Sequence, residues 1–106
     1  MNKFIGSGRL TKHAVVNGGE RKALKFTIAS KYGYDTKEKK DRIEFIPCVL
    51  FTPANDQLGV FLIAEGKGVF VEFEGRVHTS HYEVDGKTQY STEVVVDKRS
   101  LNIITK

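Results

Sequence analysis

Residues Ile43-Glu44-Phe45-Ile46-Pro47-Cys48-Val49-Leu50-Phe51 decide how the chain is read. The run is too short for an independent helix and is rich in aromatic and β-branched side chains, which marks a strand. Successive side chains of a strand point to opposite faces. Phe45, Pro47, Val49 and Phe51 therefore share one face, and Ile46, Cys48 and Leu50 share the other. A strand of a small antiparallel sheet is normally apolar toward the core and polar toward water. This one is apolar on both faces. Either it is buried twice over, or its second face offers Phe45 and Phe51 to something flat and apolar.

The flanking sequence supplies the rest of a sheet. Phe4 to Thr11 reads as a first strand diluted by Gly6, Ser7 and Gly8, and glycine inside a strand marks a bulge or a close backbone approach. Asn17-Gly18-Gly19 is a turn signal. Lys22 to Ser30 alternates cleanly, with Leu24, Phe26 and Ile28 facing in and Lys25 and Thr27 facing out. Lys31 to Arg42 has no apolar periodicity and mixes Lys31, Lys37, Lys39, Lys40 and Arg42 with Asp35, Glu38 and Asp41. It is expected to be a mobile charged loop with Tyr32 and Tyr34 at its base.

Beyond the central strand, Thr52-Pro53 fits a helix start, with threonine as cap and proline in the first helical position. Leu58, Phe61 and Leu62 form one apolar stripe, and Gly66 ends it. Val69, Val71, Phe73 and Val77 alternate with Glu72, Glu74 and Arg76 in a fourth strand. Asp85-Gly86 is a strong hairpin signal between His78–Val84 and Lys87–Val96. A two-residue turn there pairs Val84 with Lys87 and Tyr82 with Gln89. Tyr82 then lies on a polar face with His78, Ser80, Lys87, Gln89, Ser91 and Glu93. Three strands, a short helix and two further strands predict an all-β, five-stranded Greek-key barrel, the OB-fold, as a single domain over 1–106 with its one helix between strands 3 and 4.

The 106 residues carry a formal charge of +4 and a pI of about 9.2, a modest basicity that suits a polyanionic partner. One cysteine excludes an internal disulfide and fits a reducing compartment. Met1 to Lys12 lacks the pattern of a signal peptide, and no run reaches the roughly 18 apolar residues of a membrane span. A soluble, cytoplasmic protein is expected. His78 and His81 fall on opposite strand faces and cannot share a metal, and Cys48 reads as a small buried hydrophobe. No phosphate loop, nucleophile elbow or carboxylate pair appears, so neither catalysis nor a cofactor or metal is expected. Tyr34, the pair Phe45 and Phe51, and Tyr82 lie on three separate elements, interleaved with Lys22, Lys25, Lys31, Arg76 and Lys87. Aromatic platforms beside a positive groove are what single-stranded nucleic acid requires.

Four segments in order carry a family resemblance: Asn2-Lys3-Phe4-Ile5 with Gly8-Arg9-Leu10-Thr11-Lys12, Phe26-Thr27-Ile28-Ala29, Phe45 through Phe51, and Tyr90-Ser91-Thr92-Glu93-Val94-Val95-Val96. Over nearly its whole length the chain resembles the bacterial single-stranded DNA-binding proteins. The resemblance implies an OB-fold that wraps single-stranded DNA without sequence preference in replication, recombination and repair, usually as a homotetramer. It puts the stacking positions on Tyr34, Phe45, Phe51 and Tyr82; Tyr32, at the base of the charged stretch, and His78, on the face of Tyr82, are further binding candidates.

The chain departs from the family pattern at several points. Gly6 and Ser7 replace bulky residues of the subunit-pairing strand, which leaves a homo-oligomer of either tetramer or dimer form. His78, Ser80 and His81 replace a basic run, and Pro47 replaces a polar or basic residue. The sequence ends at Lys106 without the family's acidic tip, which recruits replication or repair proteins. The alternative reading is a primosomal replication-restart adaptor, a tailless OB-fold dimer acting through protein contacts. An RNA- or oligosaccharide-binding module is a third.

Overall fold

Alternation of apolar residues inward organises the chain around a long hairpin, β3 (Ala23–Asp35) with β4 (Lys40–Phe51). Before it come β1 (Phe4–Leu10) and the short β2 (Val15–Asn17). After it come α1 (Gln57–Glu65), β5 (Phe70–Val84), β6 (Lys87–Val96), a short 3₁₀ turn at Lys98–Ser100, and β7 (Asn102–Thr105). The computed structural model describes residues 1–17, 23–53 and 55–105. The expected Asn17-Gly18-Gly19 turn and the candidate Lys22 extend outside those described residues.

The sheet closes on itself. β1 pairs with β5 along Phe4–Arg9 and reaches β3 at Arg9 and Leu10. β3 pairs with β4, β4 runs parallel to β6 at Cys48–Val94 and Val49–Val95, and β6 returns to β5. This circuit is the five-stranded barrel of the OB-fold. β2 and β7 are short additions on β3 and β5 that the sequence reading did not include. Gly8 is what lets β1 approach β3, since a Cβ there would stand 2.6 Å from the Ala29 carbonyl oxygen. Inside, Leu10, Leu24, Ile28, Leu50, Leu62 and Val71 are each 2% exposed or less, each contributing about 1.5–3 kcal/mol of burial.

Three expectations need correction. Lys31 to Arg42 is not a loop. β3 and β4 stay paired out to Asp35 and Lys40, with the turn confined to 36–39. Asp35 Oδ1 accepts from the backbone N–H groups of Lys37 (3.0 Å) and Glu38 (3.2 Å), and Lys39 supplies the left-handed backbone at φ 54°. Lys31–Asp41 at 3.0 Å and Lys40–Glu38 at 2.6 Å add ion pairs along this arm. The fourth strand and the first hairpin strand are also one continuous β5.

The helix starts later than expected, at Gln57 after Asp56, and Thr52 is not its cap. Pro53 instead opens a turn closed by Asp56 N–H to the Pro53 carbonyl at 3.1 Å. Thr52 Oγ1 donates to Asp56 Oδ2 at 3.3 Å, and Lys98 Nζ lies 3.1 Å from the same oxygen. The Lys98 hydrogen bond is the main reason the Asp56 carboxyl is held below its ordinary range.

The Asp85-Gly86 turn has the expected register, with both residues left-handed at φ 52° and 76°. Replacing Gly86 by alanine is expected to lower stability in urea by about 1–2 kcal/mol. Lys39→Gly should be neutral or stabilising, because glycine relieves the same backbone conformation. A clear loss in Lys39→Gly would contradict the turn geometry.

Candidate nucleic-acid interface

Residues paired across a sheet share a face, so the registers say which side chains meet. Along the β3–β4 hairpin the outward pairs are Lys25–Val49, Thr27–Pro47, Ala29–Phe45 and Lys31–Ile43. Ile46, Cys48 and Leu50 turn inward, which resolves the two-faced central strand in favour of an exposed second face. A bulge between Lys31 and Gly33 then adds one residue to β3. Tyr34 consequently pairs with Asp41, on the side of Ile43 and Phe45. Without that bulge, simple alternation from Lys31 would turn Tyr34 to the opposite face.

The second hairpin joins the same surface. Its outward pairs are Arg76–Val95, His78–Glu93, Ser80–Ser91, Tyr82–Gln89 and Val84–Lys87. The parallel pair Val49–Val95 makes these rows continuous with the outward face of β4. Nearly all the sequence-predicted residues thus share one outer face: Tyr34, Phe45, Phe51, Tyr82, Lys25, Lys31, Arg76, His78 and Lys87. Tyr32 lies at the bulge itself, and Lys22 is outside the described residues. Phe45 (65%), Phe51 (61%), Tyr34 (54%) and Tyr82 (50%) are all exposed.

Electrostatics divide the cations into two kinds. Lys25 Nζ reaches Glu93 Oε2 at 3.5 Å, spanning from β3 to β6, and Lys31 Nζ reaches Asp41 Oδ1 at 3.0 Å. Arg76 and Lys87 have no carboxylate partner among the described residues. Val49 faces outward yet is only 3% exposed, because it lies between Lys25 and Val95 beneath the Lys25–Glu93 bridge. Pro47 is tolerated because β4 pairs with β6 only at Cys48 and Val49. The β6-side edge of β4 is open at Pro47, and an open edge accepts a residue without N–H.

Two exposed residues escaped the sequence reading. Ile43 belongs to the Phe45 row, and its odd-numbered place in the opening stretch was signal enough. Tyr90 is 63% exposed and stands on the opposite face of the second hairpin, its ring 4.9 Å from His81 in an edge-to-face pair. The Asp85-Gly86 register already implied that side for it. The structure keeps His78 and His81 on opposite faces, and no group of three His, Cys, Asp or Glu among the described residues could hold a metal ion. No helix there is long and apolar enough to cross a membrane.

The sequence model of the single-strand binding protein family matches residues 1–102. The chain belongs to that family. A single-stranded DNA-binding protein of Oceanobacillus iheyensis is 32% identical over 102 residues, a match spanning 92% of this chain and 60% of that protein. One from Staphylococcus epidermidis is 24% identical over 98 residues, spanning 92% of this chain and 72% of that protein. The chain thus spans three-fifths of the length of the first relative and somewhat more of the second. Among solved structures, a Plasmodium falciparum SSB complex with ssDNA has the same fold, with a TM-score of 0.71 at 20% identity, covering 100% of this chain and 95% of that one.

Beneath the outer face, Cys48 is buried and its thiol is pushed up to about 12, first by desolvation and then by the charge of Glu93. An unfolded thiol ionises near pH 8.5, so between about pH 9 and 12 the unfolded chain binds fewer protons than the folded one. The stability due to the protonated thiol is therefore complete below about pH 9 and lost as pH rises toward 12, by up to about 1.4 kcal/mol per unit. Urea midpoints of wild type and Cys48→Ala should converge between pH 8 and 11. A constant gap would contradict the buried, protonated thiol.

Proposed function

We infer that this chain binds single-stranded DNA without sequence preference, protecting it during replication, recombination and repair. The observation that carries this reading is the single outer face on which four exposed aromatics from two hairpins alternate with cations. Bases stack on Phe45, Phe51, Tyr34 and Tyr82, since every base has a π-face and stacking is indifferent to sequence. Tyr32, at the bulge, extends the platform around Tyr34.

Phosphates run beside the aromatics. Arg76 and Lys87 meet them directly, and Lys22 is a further candidate from the sequence. Lys31 exchanges Asp41 for a phosphate oxygen at little cost, because exposed ion pairs are worth only about 0–1 kcal/mol, and Lys25 adds its charge to the same face while it holds the more covered Glu93. His78 adds charge on the Tyr82 face when protonated. The chain acts as a homo-oligomer, a tetramer or a dimer, and family membership supports the whole reading.

Alanine at Phe45, Phe51 or Tyr82 is expected to weaken oligo(dT) binding by ~1–3 kcal/mol each without unfolding the protein. With about four to six phosphate contacts per subunit, log affinity should fall against log salt with a slope of about −3 to −4. Retained affinity in a folded triple-alanine variant, or a flat salt response, would overturn the assignment.

A further inference from the structure

Where β1 parts from β3, the barrel surface opens into a cleft of about 570 Å³ lined by Arg9, Ala29, Lys31, Asp41, Ile43 and Phe70. Its origin is topological. β1 touches β3 only at Arg9 and Leu10, and from Arg9 back to Phe4 it follows β5. The two strands diverge like the arms of a wedge. The volume lies within the range of roughly 300–1,000 Å³ typical of small-molecule sites.

The geometry points to this cleft as a further nucleotide subsite, taking one base of the same single strand together with its phosphate. The inference rests on the strand-binding reading above. Ile43 and Ala29 belong to the outward rows that carry Phe45 and Lys31, so the cleft continues the aromatic face across β3. Phe70 gives it an aromatic wall. Arg9 is already set for an anion: its guanidinium lies 5.4 Å from the centroid of the Phe70 ring, and its Nη1 donates to the Gly68 carbonyl at 2.9 Å. That bond occupies one of five N–H donors, and no carboxylate among the described residues pairs with the charge. Lys31 stands on the opposite side, with only the exchangeable Asp41 as partner.

A base on Ile43 and Phe70 would therefore place its phosphate between two cations. A second cleft, of about 440 Å³ between β1 and β5, is lined by Glu72 and Glu74 and has the wrong sign for this ligand.

The test uses Arg9→Ala and the exposed-site variant Ile43→Ala, with circular dichroism to confirm folding. Binding of a long oligo(dT) is measured beside Phe45→Ala, and sedimentation is recorded for each protein. Both cleft variants should bind about tenfold more weakly than wild type. Arg9→Ala should also flatten the salt slope by ~0.7, one phosphate contact, with sedimentation unchanged. If Phe45→Ala weakens binding while Ile43→Ala and Arg9→Ala leave it intact, the cleft is not a subsite. A changed sedimentation coefficient with unchanged oligo(dT) affinity would assign the cleft to a second copy of the chain and likewise overturn the proposal. Wild type that binds no oligo(dT) would remove the strand-binding reading itself, and the subsite with it.

Discussion

The architecture depends on a very short joint. β4 and β6 meet in parallel at two residue pairs, Cys48–Val94 and Val49–Val95. Parallel pairing is slightly weaker per residue than antiparallel pairing, so the joint relies on what covers it. Below, Cys48 and Val94 are packed into the barrel core. Above, the Lys25–Glu93 bridge lies over Val49. Those two pairs close the barrel and also make the outer faces of two separate hairpins one surface. Phe45 and Tyr82 belong to a common face because of them.

The charges on that face form a restrained array rather than a naked positive groove. Lys25 and Lys31 keep carboxylate partners, which limits repulsion among the cations in the free protein. Lys31–Asp41 is exposed at both ends and screened by salt, whereas the Glu93 end of the Lys25 bridge is largely covered. Pro47 fits the same picture. Beside Thr27 and between Phe45 and Val49 it contributes a neutral surface with no N–H.

How much of this could be read from the sequence varied with the physics of each part. The Asp85-Gly86 register was legible because both residues tolerate left-handed backbone, and the register then fixes the face of Tyr82. Alternation sorted Ile46, Cys48 and Leu50 onto one face, but because the strand is apolar on both faces it took the hairpin geometry and the family resemblance to say that this face is the inward one. The β3–β4 arm was not, since both of its faces meet water and no apolar alternation marks it. What holds it is local polar chemistry, the Asp35 turn and ion pairs such as Lys31–Asp41. The bulge at Tyr32 is marked only by Gly33, which the sequence reading placed in a loop rather than a strand, yet it decides the side on which Tyr34 falls. The helix start was misplaced because Thr52-Pro53 carries a cap signature but forms a turn closed by the Asp56 N–H, and the helix begins after it.

The central claim, that one outer face receives the strand, is tested most directly through tyrosine emission. The chain has 4 tyrosines and no tryptophan, so that signal is unobscured. Replacing Tyr34 and Tyr82 by phenylalanine keeps an aromatic ring for stacking but removes their emission. On titration with poly(dT), wild type should show saturable quenching, and the double variant should bind with similar affinity while losing most of the quench. Undiminished quenching in the double variant would place the strand against Tyr90, on the opposite face, and contradict the account.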